Sequence, residues 1–162
     1  MGASTTGWQI SVAGPPSAAA VTFEPHPRLV LRPDEPLFRL TDEQAKLRLL
    51  AATGLGGVLV MTFDKALAAL SAETFVTKVL VERLAIAGAT IGFDFHFGKN
   101  RAGSPAFLAE MGRRLGFPVD IMPPLEDEGR PVSSSTIRSA LAAGRVVEAA
   151  ELLGYPWFVP RP

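Results

Sequence analysis

The sequence predicts an α/β fold in which a parallel sheet is covered by helices on both faces. The first indication is alternation, because after residue 20 short β-rich runs are followed by segments with helical periodicity. The second is the placement of proline and glycine, since one or the other stands at the ends of two predicted strands and of most predicted helices. The third is composition: 48% hydrophobic and 20% charged residues are proportions of an ordinary globular domain, and 162 residues suffice for one.

Four short runs are predicted to be strands, and two of them end at prolines. Proline cannot donate a hydrogen bond to a ladder, so a strand normally stops where proline follows it. The run from Val58 to Phe63 has the length and apolar character of a buried strand. In chain order the four predicted strands are Val21–Glu24, Val58–Phe63, Ala89–Phe93 and Val119–Met122.

Capping residues predict where the helices between these strands begin. Thr41 and Gln44 have the spacing of a capping box, and Ser104 is followed by a proline suited to the first helical turn. Glycines that follow the periodic segments indicate the ends. The predicted helices run from Thr41 to Ala52, from Ser71 to Leu84, from Ser104 to Leu115, from Ser133 to Gly144, and from there to Gly154.

Charge and composition exclude several classes of function. Sixteen Lys and Arg balance sixteen Asp and Glu, so we expect no nucleic-acid partner and no membrane surface. There is no cysteine, which excludes disulfides, thiolate metal sites and cysteine nucleophiles and fits a cytoplasmic location. Residues 1–20 carry no charge but contain too many Gly, Ser, Thr and Pro for the apolar core of an export signal.

Ligands of open parallel sheets bind on the loops beyond the carboxyl ends of the strands, and three such loops have unusual content. In the first, Glu24–Arg28, His26 lies between two prolines. The prolines predict a stiff extended turn. This turn either borders a pocket or is a rigid strand exit with a surface histidine, and the residue types alone favour the second interpretation.

The second loop, Gly92–Arg101, carries an aromatic ring at every second position. Phe93 and Phe95 are expected to pack into the core, whereas Phe97, beyond the strand, is the expected ligand contact. Asp94 either accepts a hydrogen bond from a ligand or makes an Asx turn. The glycine spacing differs from that of a Walker phosphate loop.

The third loop, Val132–Arg138, places three serines at a predicted helix start. Hydroxyls, free backbone N–H groups and the helix dipole together form an anion site, and Arg138 lies one turn further on. A plain helix cap with a solvated arginine is the alternative. Because all three loops follow strands, we favour a shared pocket for a nucleotide or a flavin.

With Phe63–Ser71, Phe75–Val76 and Leu152–Trp157, these loops resemble the adenylyltransferase half of bacterial bifunctional riboflavin kinase/FAD synthetases. The resemblance covers about residues 20–159 in the family's order and spacing. It implies a Rossmann-like nucleotidyltransferase domain at residues 21–159 that transfers AMP from ATP to FMN, releasing pyrophosphate and requiring Mg²⁺ with the ATP.

The resemblance also implies roles for individual residues. It assigns phosphate chemistry to the serine cluster and to the arginine that follows it, and flavin contacts to the first two loops and the Ser71 helix. Flavin-binding residues would be Pro25, His26, Pro27, Leu67, Phe75 and Phe97. ATP-binding residues would be Asp94, Ser133, Ser134, Ser135 and Arg138, of which Ser134, Ser135 and Arg138 would be catalytic.

Two parts of the family pattern have no counterpart in this sequence. The histidines are His26 and His96, so the His-x-Gly-His nucleotide loop is missing, and the first strand is expected to be missing or replaced. Residues 1–20 match nothing in the family; Trp8–Val12 alternates like a strand but lies too near Val21 for a parallel crossover. The riboflavin-kinase domain of the family is likewise expected to be missing. We therefore expect a truncated domain that is a poor catalyst.

Two alternatives remain open at this point. The chain is a non-catalytic flavin- or nucleotide-binding module, or it is another nucleotidyltransferase of the same superfamily with a different phosphorylated acceptor. The proline-flanked His26 and the rings of Phe75 and Phe97 argue for a flat flavin against the second of these.

Overall fold

The structure is a computed structural model that describes residues 18–127 and 129–158. It confirms the α/β class, with parallel strands and flanking helices. The strand expected at Trp8–Val12, and the uncharged segment up to residue 17, lie outside the described residues. Within the described ranges, no helix has both the length and the apolar character needed to cross a membrane.

The main strands form two parallel pairs rather than the single sheet that the alternation predicted. β1 (Ala19–Glu24) pairs with β2 (Gly57–Thr62), and β3 (Ala89–Gly92) pairs with β4 (Val119–Met122). Among the described residues no strand bridges the two pairs, so each of these four strands has one edge without a ladder partner. All four strand predictions are confirmed to within two residues at each end.

Helices connect and cover these strands, and a short hairpin precedes the last two helices. The hairpin is β5 (Glu126–Asp127) with β6 (Arg130–Pro131). The helices are α1 (Pro27–Leu31), α2 (Glu43–Ala51), α3 (Lys65–Ala68), α4 (Ala72–Thr74), which continues as a π-helix (Phe75–Arg83), α5 (Pro105–Leu115), α6 (Ser134–Ala142) and α7 (Val146–Leu153).

Most helix starts are where the capping residues predicted them. Ser71, Ser104 and Ser133 each accept a hydrogen bond from a backbone N–H of the first turn. The capping box is wrong by one residue: Asp42, not Thr41, caps α2 and accepts from the Ala45 N–H at 2.7 Å. A carboxylate is favoured there because it also interacts with the positive end of the helix dipole.

The turn after β1 also differs from the prediction. The sequence predicted an extended segment, but Pro27–Leu31 forms the short helix α1. Pro27 occupies its first position, where a missing N–H costs nothing, and the Nδ1 atom of His26 accepts from the Arg28 N–H at 3.2 Å.

Two apolar clusters stabilise the molecule. The larger cluster contains Val76 and Leu108, which are almost fully buried. Side chains from both strand pairs pack in or against it, so this cluster joins the two pairs although they share no ladder. The smaller cluster joins α6 to α7 through Ile137, Ala140, Ala149 and Leu152, and Leu40 from the segment before α2 packs onto it. The second cluster therefore brings the start of α2 next to α6.

Candidate functional site

A cavity of about 150 Å³ opens where the loop after β1, the start of α2 and the start of α6 meet. Its lining comes from sequence positions far apart, and it contains four basic side chains and no carboxylate. The lining residues are His26, Arg39, Leu40, Thr41, Lys46, Ser134 and Arg138.

His26 enters the cavity from the strand end, as one of the two interpretations of the proline-flanked loop proposed. Its Nδ1 atom is engaged in capping α1, which leaves Nε2 as the ring nitrogen without a role in the cap. Burial lowers the pKa of His26 below its ordinary value of 6.5, and the charges of Arg138 and Arg39 lower it further. The neutral form of the His26 imidazole is therefore favoured over the charged form.

The three serines at the start of α6 have different roles. Ser133 is the cap, accepting from the Thr136 N–H at 3.1 Å, so the plain-cap interpretation is correct for this residue. Ser134, the first residue of the helix, lines the cavity. Ser135 is exposed and is not among the lining residues. The structure thus brings one of the three serines to the cavity.

Arg138 lies one helical turn after Ser134 and is not the solvated side chain of the alternative interpretation. It is half-buried, and its Nε donates to the Phe38 carbonyl oxygen at 2.7 Å. Burial lowers the pKa of Arg138, and the charge of Arg28 adds to this. Trp157 also holds this segment, because its Nε1 donates to the Leu40 carbonyl oxygen at 2.9 Å.

Arg39, Lys46 and Glu24 form a charged cluster beside the cavity that the sequence analysis missed. One oxygen of Glu24, Oε1, accepts from Arg39 at 2.6 Å and from Lys46. The Lys46 Nζ also donates to the Phe23 carbonyl oxygen at 3.1 Å. Burial raises the pKa of Glu24, but the hydrogen bonds and charges of Lys46 and Arg39 outweigh it, so the pKa lies below 4.5.

The apolar residues assigned to a flavin wall lie elsewhere. Leu67, Phe75 and Phe97 all belong to or pack against the larger core cluster, and none of them lines the cavity. Phe75 is 6% exposed and its ring centroid is 5.4 Å from that of Phe97. The assignment of these residues to flavin binding stays a prediction.

The expected exposure is wrong for two of the three rings, because Phe97 is 8% exposed and Phe93 is 52% exposed. Phe95 packs against the larger core cluster, as predicted. The prediction placed Phe93 in the strand, but β3 stops at Gly92 and the chain turns there. Phe97 then pairs with Gly103 in an antiparallel bridge, and its ring stacks on Phe95 at 5.4 Å between centroids.

Two glycines allow Phe97 to be buried in this way. A Cβ on Gly103 would lie 2.6 Å from the Phe97 ring. Gly98, with a φ of 72°, packs so closely that a Cβ would lie 2.7 Å from the backbone of Ala72. The loop is thus shaped by its contacts with α4 and the core.

The remaining predicted residues are near the strand ends without lining the cavity. Pro25 is exposed, Pro27 begins α1, and Asp94 is exposed on the loop after β3. Across residues 18–127 and 129–158, no group of three or more His, Asp or Glu side chains could hold a metal ion.

The arrangement is suited to an anion. Free hydroxyl and N–H donors converge from Ser134 and Arg138, and the first turn of α6 adds backbone N–H groups and a positive dipole. Arginine and lysine side chains nearby favour a ligand that carries negative charge. A phosphate group meets this description.

Comparison with known proteins agrees with this chemistry. A FAD synthetase family model matches residues 10–136. The chain is 36% identical over 137 residues to the bifunctional riboflavin kinase/FMN adenylyltransferase of Escherichia coli, covering 85% of this chain and 44% of the relative. It is 38% identical over 148 residues to the Pseudomonas fluorescens protein of the same name, covering 89% and 46%.

Two further matches are informative. The FAD synthetase of Listeria monocytogenes is 32% identical over 142 residues, with 86% of this chain and 57% of the relative covered. A crystal structure described as a macrolide-efflux protein from Streptococcus pneumoniae superposes with a TM-score of 0.70 at 27% identity, over 86% of this chain and 46% of that one. The chain spans about half the length of the curated relatives it matches. It belongs to the FAD synthetase family.

Proposed function

We propose that this chain carries the FMN adenylyltransferase site of its family, which joins AMP from ATP to FMN to give FAD and pyrophosphate. The observation that supports this most is that His26 and the pair Ser134 and Arg138, singled out from two separate loops, line one donor-rich cavity. The names of the relatives supply the reaction. The cytoplasmic location expected from the lack of cysteine is part of the proposal.

In the proposed reaction Ser134 and Arg138 bind phosphate oxygens of ATP while the FMN phosphate attacks the α-phosphorus. Their donors stabilise the charge that develops in the transition state, which is how phosphoryl-transfer sites contribute most of their catalysis. Because the Nδ1 atom of His26 accepts from the Arg28 N–H, the neutral ring carries its proton on Nε2 and can donate a hydrogen bond there. Mg²⁺ enters the proposal with the phosphates of ATP, as part of the substrate.

Slow turnover belongs to the same proposal. The chain contains no His-x-Gly-His sequence. The resemblance assigns to the histidines of that motif the stabilisation of the charge that develops on the ATP phosphates. Removing one such preorganised donor typically slows an enzyme by about 10²–10³-fold. We therefore expect binding of both substrates with weak catalysis.

The test is calorimetric titration with FMN, with and without Mg²⁺–ATP, followed by an assay for pyrophosphate release. Binding with slow release supports the proposal, and binding without any release favours the non-catalytic module. Transfer of a nucleotide to another phosphorylated acceptor but not to FMN favours a different nucleotidyltransferase. A chain that binds neither substrate contradicts all three.

A matched pair of variants links the result to the cavity. Ser134→Ala removes a lining hydroxyl, whereas Ser139→Ala removes an exposed hydroxyl from the same helix. We expect ATP binding to weaken about tenfold in the first and to stay unchanged in the second. Equal effects of the two substitutions would show that the helix, rather than the site, had been perturbed.

A further inference from the structure

We propose that Arg39 and Lys46, held together by Glu24, bind a phosphate group of the substrates inside the cavity beside Ser134. The proposal rests on the proposed function, since it names additional residues of that site. Glu24 acts as a positioning residue, while Arg39 and Lys46 touch the anion. The phosphate is that of FMN or one of those of ATP, and the two sources are distinguished below.

The first step is charge. Glu24 Oε1 is shared by two cations, so the cluster of Glu24, Arg39 and Lys46 has one positive charge in excess. Arg138 lies across the same cavity and adds another. No carboxylate among the lining residues offsets this charge. An anion is the ligand that relieves the repulsion between these cations.

The second step is burial. The side chains of Glu24, Arg39 and Lys46 are 11%, 29% and 22% exposed. Electrostatic attraction is stronger at such depth than at the surface, where water and salt screen it. By contrast, the side chains of the surface cluster of Arg28, Arg32 and Glu35 are 43–65% exposed, and none of the three lines the cavity.

The third step is the supply of donors. Arg39 uses one terminal nitrogen for Glu24, and the Lys46 Nζ uses two of its three protons, for Glu24 and the Phe23 carbonyl. The remaining Arg39 donors and the third Lys46 proton are available to a ligand. Glu24 fixes both side chains in advance, so less side-chain entropy is lost when the anion binds.

The experiment compares ligands that differ only in phosphate. Calorimetry measures FMN against riboflavin, and ATP against adenosine, on the full chain and on Arg39→Gln, Lys46→Gln and Lys46→Arg. The matched control is Arg32→Gln, which removes a cation from the surface cluster. Thermal melts establish that each variant is folded at the temperature of titration.

We expect Arg39→Gln and Lys46→Gln each to weaken a phosphate-bearing ligand about tenfold while the phosphate-free partner binds as before. Lys46→Arg, which keeps the charge, should retain most of the affinity, and Arg32→Gln should change nothing. Loss of FMN affinity alone identifies the FMN phosphate, and loss of ATP affinity alone identifies the ATP phosphates. A parallel loss for phosphate-free ligands, or no loss at all, would overturn the inference.

The same variants separate this inference from the proposed function. If the unchanged chain binds neither FMN nor ATP, the proposed function fails, and inorganic pyrophosphate becomes the probe. Pyrophosphate binding that Arg39→Gln or Lys46→Gln weakens would still support an anion site here. Absence of pyrophosphate binding, or binding that both substitutions leave intact, would then overturn the inference as well.

Discussion

The loops after β1 and β3 both start at the carboxyl end of a parallel strand, but they have different destinations. The loop after β1 sends His26 into a cavity shared with Arg138 on α6. The loop after β3 turns back on itself and buries Phe97 in the larger core cluster. A loop residue that follows a strand can therefore line a cavity or pack into the core. The elements that the loop packs against decide which of the two it does.

The largest expected effect concerns Phe97. Phe97→Ala should lower the free energy of unfolding by about 3–5 kcal/mol, because it removes a buried ring that contacts other aromatic side chains. Phe93→Ala, at a ring that is 52% exposed, should cost less than about 1 kcal/mol. Urea denaturation measures both, and equal costs would contradict the different positions of the two rings.

The next effect concerns the glycine that lets this loop approach α4. Gly98→Ala combines a positive φ with a Cβ placed 2.7 Å from Ala72 backbone atoms, so it should cost about 2–5 kcal/mol. Gly54→Ala has a similar φ of 79° but no atom within 4 Å of its Cβ, and it should cost about 1–2 kcal/mol. Thermal melts compare them. If Gly54→Ala proved the more damaging, the close approach to Ala72 would be wrong.

On the cavity side, two carboxylates that each bind two cations can be compared. Glu24→Gln should destabilise the chain by about 1.5–3 kcal/mol, because Glu24 is 11% exposed and accepts charged hydrogen bonds. Glu35→Gln, at a carboxylate that is 43% exposed, should cost much less, because water and salt screen exposed ion pairs.

The Glu24 contribution should also depend on pH. The pKa of Glu24 is lowered in the folded chain, so its stabilisation is present above about pH 4.5 and is lost as the pH falls through the folded-state pKa. Denaturation curves recorded between pH 7 and pH 3 should therefore converge for the unchanged chain and Glu24→Gln. A gap that stays constant over this range would contradict the role given to the Glu24 charge.

The smallest expected effect is the titration of His26. Its pKa should lie below 6.5, so protonation favours the unfolded state and the associated stability is lost as the pH falls below about 6.5. Bound pyrophosphate should raise the pKa by offsetting the charges of Arg138 and Arg39. NMR titration, with His96→Gln used to assign the signal, tests both statements. A midpoint at or above 6.5 in the free chain would contradict the first.

Local patterns predicted much of the fold correctly. The strands, and the caps Ser71, Ser104 and Ser133, depend on residues within a few positions of each other, so their signals can be found in the sequence alone. The prediction failed at Phe97 because a position beyond the strand was expected to face a ligand, whereas the loop folds back and pairs Phe97 with Gly103. The capping box failed because Asp42 competed with its neighbour.

The sequence by itself determined the α/β class, the family resemblance and the loops that carry chemistry. Only the tertiary structure decided which loops meet. Arg138 reaches the Phe38 carbonyl across 100 positions of the chain, and the cluster that holds Leu40 against α6 makes this contact possible. The pairing of Glu24 with Arg39 and Lys46 has the same origin. Such contacts depend on how distant apolar faces pack, and no local pattern records that packing.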